Sequence, residues 1–230
     1  VQNFSQDPVP TVAGWTSGGS LSTARSAIAG AGTQTAGLAF GGEVPPFQSS
    51  TEEYNGSTWT AGGALSNARA GAGGAGTQTA GLAFGGFLSP QTNVTEEYDG
   101  SSWTESGDLG TARYAESHSG TQTASVYAGG FSATAVVANS EEYNGSSWAE
   151  GNNLGTARYF VAGLGTQTAA LATGGGIAPG PPNNTNINES WNGASWTEVG
   201  DLNTTRRELD GCGVTTAALA IGGAVGPPLL

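Results

Sequence analysis

The stretch from Trp59 to Gly86, WTAGGALSNARAGAGGAGTQTAGLAFGG, decides the fold, because its landmark residues return five times at fixed spacing. Trp15, Trp59, Trp103, Trp148 and Trp196 are each followed six residues later by a leucine (Leu21, Leu65, Leu109, Leu154, Leu202). Four residues further on stands an arginine: Arg25, Arg69, Arg113, Arg158 and Arg206. Sixteen residues after each arginine begins a Gly-Gly pair, at Gly41, Gly85, Gly129, Gly174 and Gly222. Trp-to-Trp distances are 44, 44, 45 and 48 residues. That period lies in the range of propeller blades, and a repeat has to be recognised before any local structure is assigned.

Composition agrees. Forty glycines in 230 residues and only 10% charged residues exclude a helical bundle, while regularly placed apolar and aromatic residues argue against disorder. Eighteen acidic residues face six Lys+Arg, all of them Arg, for a formal charge of −12. Such a surface repels phosphate backbones and anionic lipid, so nucleic acid is not an expected partner; its plainer use is solubility. No apolar run reaches the roughly 18 residues of a membrane span, so no membrane insertion is expected. Cys212 is the only cysteine, which removes disulfide frameworks and thiolate zinc sites. On an inner strand it is expected to be a small buried hydrophobe. The chain opens at Val1 with no visible amino-terminal signal. The expectation is a processed product or a piece of a longer polypeptide or assembly.

Each unit reads as four strands. In the second repeat they run from about Ala70 to Ala75, from Thr79 to Gly85 after a turn at Gly76-Thr77-Gln78, from Asn93 to Tyr98, and from Ser101 to Glu105 after Asp99-Gly100. Turn residues and apolar runs of this length mark hairpins. Gly and Ala weaken strands, so a first strand such as AGAGGAG needs a reason; a narrow axis, crowded by the innermost strands, supplies it. Val1-Gln2-Asn3-Phe4 aligns with Thr51-Glu52-Glu53-Tyr54, and Arg206 to Gly223 supplies only the first half of a unit. The chain is therefore expected to be one domain over 1–230, an all-β five-bladed propeller. Its last blade would combine about 206–223 with 1–16, so that strands from both termini close the ring and remove open edges.

The unit resembles a kelch repeat: Arg at the head of the first strand, a second strand ending in Gly-Gly, E-x-Y in the third and Trp in the fourth. Glu52/Tyr54, Glu96/Tyr98 and Glu141/Tyr143 match; the fourth unit has Glu189 with Trp191, and the closing unit Gln2 with Phe4. The near-identical GTQTAGLAFGG at 32–42 and 76–86 is similar to kelch arrays in phage and environmental bacterial proteins. The resemblance implies a fold. It leaves function open, because kelch proteins include binding modules, scaffolds and a copper oxidase, and function has to be argued from a site.

The five repeat arginines admit two readings, a basic collar for anions or a structural pair with the E-x-Y glutamate, the stem of each Arg covering a tryptophan. The pair is expected, since both partners recur together. A copper site of the kelch-oxidase kind needs at least two histidines, and His118 is the only one; it is expected to be a partly buried polar residue near the axis. Glu116, Glu208 and Asp210 lie on first strands, and glycosidic cleavage needs two carboxyl groups across one bond. They stand three, two and four residues after their arginines, so strand alternation cannot aim all three one way. Glycoside hydrolysis is the remote alternative. No enzymatic activity and no cofactor or metal are expected.

From Trp to Gly-Gly no residue is gained or lost; length varies between Gly-Gly and the third strand, and once elsewhere, where Ser5 to Gly14 lengthens the approach to Trp15. The four segments from Glu43, Phe87, Phe131 and Gly176 carry Phe47, Phe87, Leu88, Phe131 and Ile177 among Pro, Ser and Asn. Apolar residues on variable loops of a rigid scaffold suggest a binding surface; alternatively they fold back to cap the blades. The expected function is a non-catalytic recognition module of adhesin or receptor-binding type, contacting a glycan or protein surface in an extracellular or virion-associated setting. The alternative is a structural spacer or decoration domain of a larger assembly such as a virion.

Overall fold

The structure, a computed structural model, describes residues 17–115, 117–179 and 183–225. Among them are strands and no helix. Four antiparallel four-stranded sheets follow one another along the chain. The first holds β1 (Ala29–Thr33), β2 (Ala36–Phe40), β3 (Thr51–Tyr54) and β4 (Trp59–Ala61); the second β5 (Gly73–Thr77), β6 (Ala80–Phe84), β7 (Thr95–Tyr98) and β8 (Trp103–Glu105). The third comprises β9 (Ser117–Thr121), β10 (Ala124–Ala128), β11 (Ser140–Tyr143) and β12 (Trp148–Glu150), and the fourth β13 (Ala162–Thr166), β14 (Ala169–Thr173), β15 (Asn188–Trp191) and β16 (Trp196–Val199). A two-stranded sheet, β17 (Arg207–Val214) and β18 (Ala217–Ala224), comes last. These are the repeated blades of a propeller-like repeat fold.

The innermost strands lie side by side, β1 on β5, β5 on β9, β9 on β13 and β13 on β17. Their small side chains are a steric requirement. A Cβ on Gly74 would stand 2.5 Å from the carbonyl oxygen of Gly30, and one on Gly163 would stand 2.3 Å from both N and O of His118. In the four complete sheets the first strand begins later than the sequence suggests, at Gly73 and not Ala70, whereas β17 begins at Arg207, directly after its arginine. Two residues after every repeat arginine the backbone turns left-handed, at Ala27, Gly71, Ala115, Phe160 and Glu208 (φ between 48° and 59°). That conformation costs a non-glycine residue roughly 1–2 kcal/mol. It is offset by bonds between blades: Gly71 N donates to Ala27 O (2.9 Å), Phe160 N to Ala115 O, and Glu208 N to Phe160 O (3.1 Å).

The core lies between blades. Leu38 and Phe40 of the first sheet pack with Leu65, Ala83 and Tyr98 of the second, and Leu82 and Phe84 repeat the arrangement against Leu109, Tyr127 and Tyr143. The indole N–H of Trp103 donates to Thr51 Oγ1 and that of Trp148 to Thr95 Oγ1, both at 2.9 Å, reaching back one blade. So does the turn glutamine. Gln78 Nε2 donates to Gly37 O and Tyr54 O, and Gln122 Nε2 to Gly81 O and Tyr98 O.

The arginines are stitches. Arg25–Glu52, Arg69–Glu96, Arg113–Glu141 and Arg158–Glu189 are ion pairs within single blades at 2.6 to 3.0 Å, each arginine side chain fully buried. Burial pushes the guanidinium pKa of Arg69 and Arg158 down, and Glu96 and Glu189 oppose that shift. Trp103 packs on Phe40 and Tyr98, at 4.8 and 4.9 Å between centroids, and the Arg113 guanidinium lies over Tyr127. One expectation needs correction. Cys212 is exposed, not buried, because β17 and β18 have no third strand and no following blade against them among the described residues. The segment expected to close the last blade, 1–16 with Trp15, lies outside the described residues, as does Glu116.

Candidate functional site: an aromatic arc on the loop face

The loops between second and third strands leave the sheets on the side where the repeat arginines enter, and each blade locks the two chain segments together there. The residue after the arginine exchanges backbone hydrogen bonds with the residue after Gly-Gly: Ser26 with Glu43, Ala70 with Phe87, Tyr114 with Phe131 and Tyr159 with Gly176. The loops beyond them are held by further bonds, such as Gln48 N to Gly42 O, Thr92 N to Gly86 O and Thr185 N to Gly175 O. Gln48 Nε2 also donates to Val44 O and Pro46 O.

Six aromatic rings result in one continuous line. Phe47 meets Phe87 edge-on at 5.6 Å between centroids; Phe87 meets Tyr114 at 5.5 Å; Tyr114 meets Phe131 and Phe131 meets Tyr159, each at 6.0 Å; Tyr159 meets Phe160 at 4.9 Å. Four blades contribute. All but Tyr159 are partly exposed. Burial raises the pKa of the Tyr114 phenol, with a further push from Tyr159. At its far end Arg207 Nη1 donates to the Tyr159 hydroxyl (3.2 Å) and the Arg207 guanidinium pairs with Glu208.

Of the five residues expected to contact a ligand, Phe47, Phe87 and Phe131 fall into this line. Leu88 and Ile177 do not: both stand out into solvent, 37% and 47% exposed. At Phe160 the arc meets a cavity of about 920 Å³ between the inner strands, whose lining includes the left-handed residues Ala27, Gly71, Ala115, Phe160 and Glu208. Phe160 belongs to both. His118 lines the same cavity from β9, with its ring edge-on to Phe84. Among the described residues no group of three or more His, Cys, Asp or Glu is placed to hold a metal ion. No protein-family model matches the chain, and no curated protein matches it.

Tyr114, Tyr159 and Phe160 were not anticipated from the sequence. Their signal was present in the frame: they stand one or two residues after a repeat arginine, where the first two repeats carry Ser26-Ala27 and Ala70-Gly71. It becomes legible once that position is known to pair with the residue following Gly-Gly.

Proposed function

We propose that this chain is a non-catalytic recognition module of five-bladed kelch type, which engages a glycan or a protein surface through its loop face. The observation that carries the proposal is the unbroken line of rings from Phe47 to Phe160, drawn from four blades. Aromatic faces contribute most per residue at binding sites, and rings held on a rigid scaffold lose little freedom when a ligand arrives. The frame from Trp to Gly-Gly is fixed in length while the loops that follow it vary, which suits recognition.

The test is a glycan array together with affinity capture from the native source, using the parent and the Phe87→Ala/Phe131→Ala variant. A recognition module gives a reproducible ligand whose binding falls at least tenfold in the variant while the melting curve keeps its shape. A spacer or decoration domain, in which the same rings serve only to cap the blades against one another, gives no ligand and loses stability instead.

A further inference from the structure

Every side-chain cation of this chain is taken up by the fold. There is no lysine, and four of the six arginines are the fully buried stitches, each facing its glutamate. Arg206 is half-buried and donates to Gly222 O. Arg207 is 6% exposed, its guanidinium shared between the Tyr159 hydroxyl and Glu208. Carboxylates differ: Glu43, Glu105, Glu150, Glu198, Glu208 and Asp210 are among those that stand exposed. The fully exposed side-chain charges are therefore negative.

The aromatic arc runs between two such positions. At one end Glu43 is exposed, bridges to Phe47 through the backbone, and has no ion-pair partner among the described residues. At the other end Glu208 N donates to Phe160 O (3.1 Å), and Glu208 and Asp210 are both exposed, with Arg207 neutralising one of the two charges. The loop segments 87–94, 131–139 and 176–187 contain no Asp, Glu or Arg. None of the five ring contacts is a parallel stack, the interplanar angles running from 41° to 88°, so the rings do not close on one another face to face. A ring face is the negative pole of the aromatic quadrupole, and a guanidinium or ammonium within about 6 Å of the centroid is attracted to it. The fold already uses this contact, with the Arg113 guanidinium 4.5 Å from the centroid of Tyr127.

On the reading of the loop face as a recognition surface, we propose that its occupant is an extended basic segment of a partner protein. Its lysine or arginine side chains lie along the rings and reach Glu43 at one end and Glu208 and Asp210 at the other. A line of rings from four blades suits a chain better than a compact group, which would meet one or two of them. A neutral glycan would leave the end carboxylates without a use, and an anionic glycan or nucleic acid would meet repulsion. The formal charge of −12 also steers a basic segment toward the surface.

Fluorescence anisotropy tests this with labelled peptides of about ten residues, long enough at about 3.3 Å per residue to follow the arc. One alternates Lys and Ser, a second has Gln for every Lys, and a third has Glu; spermine and cellohexaose compete. The Lys peptide is expected to bind at least roughly tenfold tighter than the Gln peptide, and the Glu peptide not at all. Its affinity falls between about 0.01 M and 0.15 M salt, as the screening length shrinks from about 30 Å to about 8 Å. Phe87→Ala/Phe131→Ala should weaken it about tenfold and Glu43→Gln/Asp210→Asn roughly fivefold. The second variant alters exposed side chains only, so it decides the matter even where the first fails to fold. Glu150→Gln/Glu198→Gln, on the outermost strands, should leave binding unchanged. Equal loss in the two carboxylate variants means bulk attraction, equal affinity for the Lys and Gln peptides means that charge is not read, and spermine bound as tightly as the Lys peptide means a small polyamine; each overturns the inference, as does no binding. Cellohexaose bound at the rings without salt dependence overturns the basic partner and leaves the loop face a recognition surface. A Lys peptide bound equally by the folded ring variant counts against both.

Discussion

Tyr98 donates its phenolic hydrogen to Oε1 of Glu53, 2.5 Å away, across the joint between the first two blades. The same bond recurs one blade later from Tyr143 to Glu97, where Ser106 Oγ also lies 2.5 Å from the phenol. Burial first, and the carboxylate second, push both phenols up to about 12. A joint made of apolar rings and leucines thus contains a glutamate acceptor that takes the hydrogen of a neutral tyrosine.

This sets an alkaline limit. The folded pKa exceeds the unfolded value of about 10, so the contribution is complete below that pH and is lost as pH rises through about 12. Denaturant unfolding of the parent should therefore weaken across this window more steeply than that of a Tyr98→Phe/Tyr143→Phe variant. Parallel curves for the two proteins would show that the phenols carry no such linkage.

The arginine stitches should be costly to break from one side only. Arg113 is fully buried and pairs with Glu141 at 2.6 Å. Arg113→Ala is expected to cost on the order of 2 to 4 kcal/mol, most of it the penalty of leaving Glu141 buried without a partner. Arg113→Ala/Glu141→Gln should recover part of that loss. A single-variant cost below about 0.5 kcal/mol, measured by urea unfolding, contradicts the stitch, since exposed pairs are worth that little.

The turn glutamines give a third expectation. Gln122 Nε2 donates at 3.1 and 2.7 Å to two carbonyls of the preceding blade. Gln122→Ala and Gln78→Ala should each cost about 1 to 3 kcal/mol through acceptors left unsatisfied. Because the two act at different joints, the double variant should show the sum. A markedly smaller double effect would mean that the joints are coupled.

Much of this architecture was legible in the sequence, and the reasons for the exceptions are physical. The frame of Trp, Arg and Gly-Gly fixes where strands turn and pair, because residues at constant offsets have to meet the same neighbours in each blade. Arg69 and Glu96, 27 residues apart, were readable as partners for that reason. Strand starts were less legible: the left-handed residue after Ala70 is demanded by a bond to the neighbouring blade, which no local propensity encodes. The hydrogen bond from Trp103 to Thr51 was not legible either, because Thr51 lies one blade back and only the packing of blades decides it. At the loop face Phe47, Phe87 and Phe131 stood out as apolar residues among Pro and Asn. Tyr114 and Tyr159 hid at strand heads, where aromatic residues usually serve a core.

Two glycines separate crowding from mere flexibility. Gly163 lies on β13, where an added Cβ would meet the backbone N and O of His118 at 2.3 Å and Ser117 Oγ at 2.7 Å. Backbone cannot yield as a flexible side chain can, so Gly163→Ala must push β13 away from β9 and loosen the apposition of inner strands. Overpacking of this kind costs about 1 to 3 kcal/mol or more. Gly200, after β16, has nothing within 4 Å of where a Cβ would stand and no left-handed backbone. Gly200→Ala should instead stabilise by about 0.4 to 1 kcal/mol, by narrowing the unfolded ensemble. Thermal and urea unfolding of the two variants beside the parent decide the matter. Equal stability of Gly163→Ala and Gly200→Ala would mean that the inner strands stand further apart than their glycines imply, and that the Gly-Ala composition of the first strands has another cause.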